Sequence, residues 1–129
     1  MATRPPNARA RQTAAARPAQ NRQADTRRGS ARSRGYTPAW DAAAKDHLAD
    51  HPLCRYCETG AFGPLRITGA ALVDHLYPHR GDMELFWDRR WWVSSCTPCH
   101  SGPKQRTESA GLDALHRLAT ALGLPLNRR

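Results

Sequence analysis

The chain has 129 residues, a mean hydropathy of −0.72 and a formal net charge of +9 at pH 7. That length suits one domain with extensions. No stretch is apolar enough to span a membrane, and no apolar run of about 7–15 residues follows the N-terminal basic residues, so neither a membrane span nor a signal peptide is expected, and the four cysteines are expected to hold a metal in preference to forming disulfides.

Residues 1–35 carry nine arginines against the single Asp25, which is +8 of the total charge. Residues 1–33 contain no Val, Ile, Leu, Phe, Trp, Tyr or Cys. Without apolar side chains such a segment does not offset its ordering entropy, and a disordered Arg/Ala-rich arm is expected over 1–33. Its composition mimics a transit peptide, without a cleavage site to support one. Arg-rich arms contact polyanions through counterion release, so nucleic acid is the expected partner and a solvated leader the plain alternative.

Order is expected from about Gly35-Tyr36. Thr37-Pro38 reads as an N-cap with proline in the first turn. Trp40, Ala43, Ala44, His47 and Leu48 then recur at helical spacing to about Asp50, where His51-Pro52 closes the helix. Cys54 to Cys57 forms a tight knuckle, and Gly60, Gly63 and Pro64 punctuate a loop. Ala70 to Leu76 reads as a strand, Pro78 to Asp82 as a turn, Met83 to Trp87 as one helical turn, and Trp91 to Ser94 as a second strand delivering Cys96. A helix from Thr97 or Pro98 carries Cys99, His100 and Lys104. A last amphipathic helix sets Leu112, Leu115, Leu118 and Leu122 on one face.

All four cysteines fall in two CxxC pairs, Cys54/Cys57 and Cys96/Cys99. Two-residue spacing brings both thiolates of a pair to one side of a turn, and two pairs make a closed tetrahedral zinc site with no open position. The 38 residues between the pairs exceed the roughly 15–20 of ordinary zinc ribbons, so something must fold inside the loop. A redox CxxC or free structural thiols are the alternatives. Reducing surroundings favour the metal reading.

Asp74-His75 ends the first predicted strand, where neighbouring side chains point to opposite faces. His100 follows Cys99, whose binding to metal would fix its orientation. An Asp/His set suits Mg²⁺, Mn²⁺ or Ni²⁺. A cation so held stabilises charge on a phosphate and its leaving oxygen, while a neutral His75 takes a proton from water.

The segments Arg34-Gly35-Tyr36…Trp40, His51-Pro52-Leu53-Cys54-Arg55-Tyr56-Cys57, Val73-Asp74-His75-Leu76-Tyr77-Pro78-His79-Arg80-Gly81-Asp82, Leu85-Phe86-Trp87-Asp88 and Cys96-Thr97-Pro98-Cys99-His100…Lys104-Gln105 together resemble the HNH endonucleases, especially the small zinc-containing kind of phages and prophages. The resemblance covers about residues 34–108 and leaves 109–129 as a C-terminal helix and tail. It implies a small α+β fold, a ββα-metal (His-Me) finger with a four-cysteine zinc knuckle and flanking helices. It implies one catalytic divalent cation on Asp74 and His100, with His75 as general base. It also implies DNA phosphodiester hydrolysis, phosphate contacts from His79, Arg80, Lys104 and Arg106, and a bacterial cytoplasmic setting in which phage terminase or packaging proteins are candidate partners. His47, His51 and His116 fall outside the motif and read as structural or surface residues.

The family's middle Asn, which buttresses the loop bearing the base, is Trp91 here. Indole offers one donor and no acceptor, so either Ser94 or Asp88 compensates, the alignment slips locally, or catalysis is weakened. The competing function is therefore a zinc-stabilised DNA-binding or assembly module of the same fold with decayed activity. The leucine face of the last helix either closes the core or pairs with another chain.

Overall fold

The computed structural model describes residues 34–128; the expected arm, 1–33, lies outside them. The chain divides between Tyr36 and Thr37, and the architecture that follows is that of the second unit. It is a small mixed helix and strand fold with one two-stranded antiparallel sheet and a four-cysteine cluster.

Helix α1 spans Pro38–Asp50. The Thr37 hydroxyl accepts the Trp40 N–H at 3.4 Å, and proline occupies the first turn, as expected. His51, next to Pro52, closes it. A one-turn helix α2, Arg55–Thr59, forms the first knuckle and ends on Gly60 at φ 71°, where a Cβ would also meet the Leu65 side chain at 3.0 Å.

Strands β1 (Leu72–His75) and β2 (Trp92–Ser95) pair antiparallel, Asp74 opposite Val93 and His75 opposite Trp92. The first is shorter than the Ala70–Leu76 the sequence suggested, and the second has the expected four residues but starts one position later. Ala71 and Leu76 still bond to Ser95 and Trp91 across the ladder, but Trp91 itself closes a 3₁₀ turn, Arg89–Trp91, ahead of β2. A one-turn helix α3, Met83–Phe86, capped by the Asp82 side chain, fills the connection between the strands. After β2 the chain runs through α4 (Thr97–Cys99), a π-helical turn (His100–Lys104), α5 (Gln105–Ala110) and α6 (Leu112–Ala121). The π turn holds Pro103, which has no N–H for the ordinary helical bond, so the helix widens there.

Strand alternation divides the interior in two. Val73 and Trp92 face Trp40 and Phe86 in one aromatic cluster, against which Ala43, Ala44 and Leu48 of α1 pack. Val93 joins the other cluster, which holds the four cysteines, Tyr56, Leu76, Tyr77, Trp91, Leu115, Leu118, Ala119 and Leu122. The face of α6 thus closes the core. Leu112 is the exception to the expected stripe: at the first residue of α6 it is 54% exposed. No helix among the described residues is long and apolar enough to cross a membrane.

Candidate functional site

Two centres share β1 and the helical run after β2. In the first, Cys54 precedes α2, Cys57 lies on it, and Cys96 and Cys99 bracket α4. All four are buried, none is disulfide-bonded, and their Sγ atoms lie within 4.8 Å of one another. Cys57 Sγ is 3.9 Å from Cys96 Sγ and 3.7 Å from Cys99 Sγ. A tetrahedron with Zn–S bonds of about 2.3 Å has edges of about 3.8 Å. The set therefore fits a closed structural metal site such as zinc's. Burial pushes the Cys54 and Cys99 thiols up, whereas for Cys57 burial is outweighed by hydrogen bonding from Thr68 and Arg66, which brings it down to about 7.

In the second centre Asp74 sits on the cysteine side of β1 and is buried. Its Oδ2 accepts the Tyr56 hydroxyl at 2.7 Å and lies 3.2 Å from Lys104 Nζ; its Oδ1 lies 3.4 Å from His100 Nδ1. Burial alone would raise the Asp74 carboxyl, but His100, Lys104 and Tyr56 outweigh it and hold the group below its usual range. His100 is raised, chiefly by Asp74. Its Nδ1 is buried and has no partner in hydrogen-bonding geometry among the described residues. A lone pair so placed faces a carboxylate and calls for a cation or a proton between them. The 3.4 Å separation suits two ligands that each bind one ion at about 2.1 Å.

No family model, curated protein or solved structure matches the chain.

His75 lies on the other face of β1, against the aromatic cluster. Its ring stacks on Trp40 (centroids 4.8 Å, planes 24° apart) and meets Phe86 at 4.5 Å and His79 at 5.1 Å. Its Nε2 is 2.9 Å from the Phe86 carbonyl oxygen. A carbonyl only accepts, so Nε2 carries the hydrogen and Nδ1 keeps the lone pair. Burial, then the proximity of His79, lowers its pKa to about 4.

His79 belongs to a four-residue turn in which Arg80 (φ 49°) and Gly81 (φ 88°) are both left-handed. The His79 Nδ1 accepts the Gly81 N–H at 3.1 Å, and its carbonyl accepts the Asp82 N–H at 2.9 Å. A non-glycine residue at positive φ is strained, and the turn places His79 against His75 while Arg80 stays exposed.

Three sequence expectations need correction. Lys104 is not a side chain that reaches phosphate. It is fully buried, and its ammonium donates to the His75 carbonyl (2.9 Å) and Glu108 (3.0 Å) beside Asp74. The widened turn puts His100 and Lys104, four residues apart, on the side facing β1, whereas Arg106 remains exposed. Nor does the Ser94 hydroxyl stand in for the Asn of the family pattern. Ser94 donates to the His51 carbonyl, and the Asp88 carboxylate binds Arg90. Finally, Trp91 faces away from His75, its indole donating to the Pro125 carbonyl at 2.8 Å.

Trp92 instead reaches the neighbourhood of His75: its Nε1–H shares the Phe86 carbonyl with His75, also at 2.9 Å. Sequence reasoning missed this carbonyl, and missed Tyr56 as a partner of Asp74. For Tyr56 a signal existed: a tyrosine inside a buried knuckle must find a partner for its hydroxyl.

Lys104→Met is expected to cost about 3–5 kcal/mol, because it leaves the Asp74 and Glu108 carboxylates without their buried counter-charge. Urea denaturation of the metal-loaded protein measures it. A loss below about 1 kcal/mol, the usual worth of a surface pair, would show that the network is not structural.

Proposed function

We propose that the chain is an HNH-type, metal-dependent DNA endonuclease built on a ββα-metal finger. The observation that carries this reading is the approach of Asp74 Oδ1 and His100 Nδ1 to 3.4 Å, from a strand and a helix, beside a histidine in a fixed tautomer. The strand, connection, strand and helix order of β1, α3, β2 and α4 supports the fold assignment.

Asp74 Oδ1 and His100 Nδ1 would hold one divalent cation. When bound, such a cation stabilises negative charge on a phosphodiester and on its leaving oxygen. Tyr56 and Lys104 occupy Asp74 Oδ2 and so leave Oδ1 directed at His100. His75, with Nε2–H held by the Phe86 carbonyl, presents the Nδ1 lone pair as the acceptor for a proton from water. His79 and Arg80 lie on the turn beside it and are the phosphate contacts this reading assigns. The four cysteines hold the scaffold with zinc and take no part in the chemistry. DNA-bound phage packaging proteins are the associated partners this reading suggests.

A supercoiled-plasmid nicking assay across Mg²⁺, Mn²⁺ and Ni²⁺ tests the proposal. Loss of a supporting group around a metal ligand commonly costs about 10–100-fold in affinity, and loss of the ligand itself at least as much. His100→Ala should therefore raise the cation concentration for half-maximal nicking by at least about tenfold. An unchanged metal requirement would remove His100 from the site, and absence of nicking with every cation would favour the non-catalytic DNA-binding module.

A further inference from the structure

A second feature lies on the far side of Trp92. Between α1, α2 and β2 is a pocket of about 340 Å³ lined by Arg55, Arg89, Arg90, His47 and His51, with Trp92 as a wall. Its lining holds three guanidinium groups and two imidazoles against the single carboxylate of Glu58. Arg55 is paired with Glu58 (3.3 Å) and donates to the Leu122 carbonyl (3.0 Å), and Arg90 is paired with Asp88 at 2.7 Å. Arg89 differs. No carboxylate among the described residues lies within ion-pair distance of it, and its guanidinium stands over the Trp92 ring at 5.1 Å. The rings of His47 and His51 lie 4.7 Å apart, one helical turn from each other, and His47 meets Trp92 at 5.9 Å. None of the Asp74, His75 or His100 side chains lines this pocket.

Cationic groups gathered at a concave, half-apolar surface, with one guanidinium left without a counter-ion among the described residues, form an anion site. Guanidinium geometry matches phosphate, and the neighbouring imidazole N–H groups can supply further donors. We infer that the pocket of Arg89, His47 and His51 binds a phosphate group, separately from the Asp74–His100 centre. Trp92 connects the two, because the indole that walls the pocket also donates to the Phe86 carbonyl that orients His75. A phosphate of the DNA strand is one source, which rests on the proposed nuclease reading; a free phosphate or mononucleotide is the other, which does not.

The test uses the full zinc-loaded chain. Titration with inorganic phosphate, followed by NMR, should shift the Trp92 indole and the His47 and His51 ring signals saturably, and Arg89→Gln should abolish the response without altering the melting temperature. Absence of a saturable shift in the wild-type protein overturns the proposal, as does an undiminished shift in Arg89→Gln. DNA binding measured against salt gives the second arm. Losing one phosphate contact lowers the log–log salt slope by about 1. A lower slope in Arg89→Gln identifies the strand as the source, whereas an unchanged slope with a retained phosphate response in the wild type identifies the free anion. Neither arm uses cleavage, so failure of the nuclease reading leaves the phosphate result standing.

Discussion

Stripping the metal from Cys54, Cys57, Cys96 and Cys99 is expected to abolish cooperative folding of the Thr37–Arg129 unit. The cysteines make up four of the thirteen buried members of the larger core cluster. Without a cation, four buried thiols stand within 4.8 Å of one another, Cys57 3.9 Å from Cys96 and 3.7 Å from Cys99, offering one another only weak hydrogen bonds. Structural zinc contributes an apparent binding free energy of about 10–16 kcal/mol in small domains, which matches or exceeds the roughly 5–15 kcal/mol of total stability such domains have. Chelation or Cys96→Ser should therefore eliminate the thermal transition in circular dichroism rather than shift it. Damage should also reach the second centre, since Tyr56, which holds Asp74, lies between two of the cysteines and His100 adjoins Cys99. Cobalt substitution gives an independent readout through thiolate charge-transfer absorption. A cooperative melt within a few degrees of the untreated protein after complete chelation would show that side-chain packing alone holds the fold.

How much of this was legible in the sequence depended on whether the interaction was local. The Thr37 cap, the proline-closed end of α1 and the CxxC knuckles depend on residues within four positions of each other, and the structure has them where spacing put them. Lys104, expected among the phosphate contacts, is buried because Asp74, the His75 carbonyl and Glu108 converge on it from two elements, which no local pattern encodes. The widened turn at Pro103 contributes to that convergence, and periodicity assumes an even helix. Leu112 failed for the opposite reason, since its stripe is regular but the helix begins before the core does. Trp91 and Trp92 could not be told apart by composition. Strand alternation sends them to different clusters, so that only the second reaches the Phe86 carbonyl.

That carbonyl makes His75→Ala the most informative substitution for chemistry. General-base catalysis by a positioned side chain contributes about 10²–10⁴-fold, and plasmid nicking should fall by that factor at saturating Mg²⁺ or Mn²⁺. The fold should persist: Trp40, Phe86 and Trp92 still pack on one another, and the Phe86 carbonyl keeps its bond from Trp92. Loss of the ring leaves a cavity against Trp40, so a lower melting temperature accompanies the change, and a single cooperative transition verifies that the variant is folded. Added imidazole separates the two roles, because a small base restores proton transfer in the vacated space whereas it does not repair a displaced strand. His79, its ring centroid 5.1 Å from that of His75, is the neighbouring imidazole to test for a partial substitute. His75→Ala/His79→Ala should therefore remove whatever nicking the single variant retains. Full activity in a folded double variant would remove both histidines from the reaction. Asp74 and His100 would then have to act through a base supplied by the solvent or by the substrate's own phosphate.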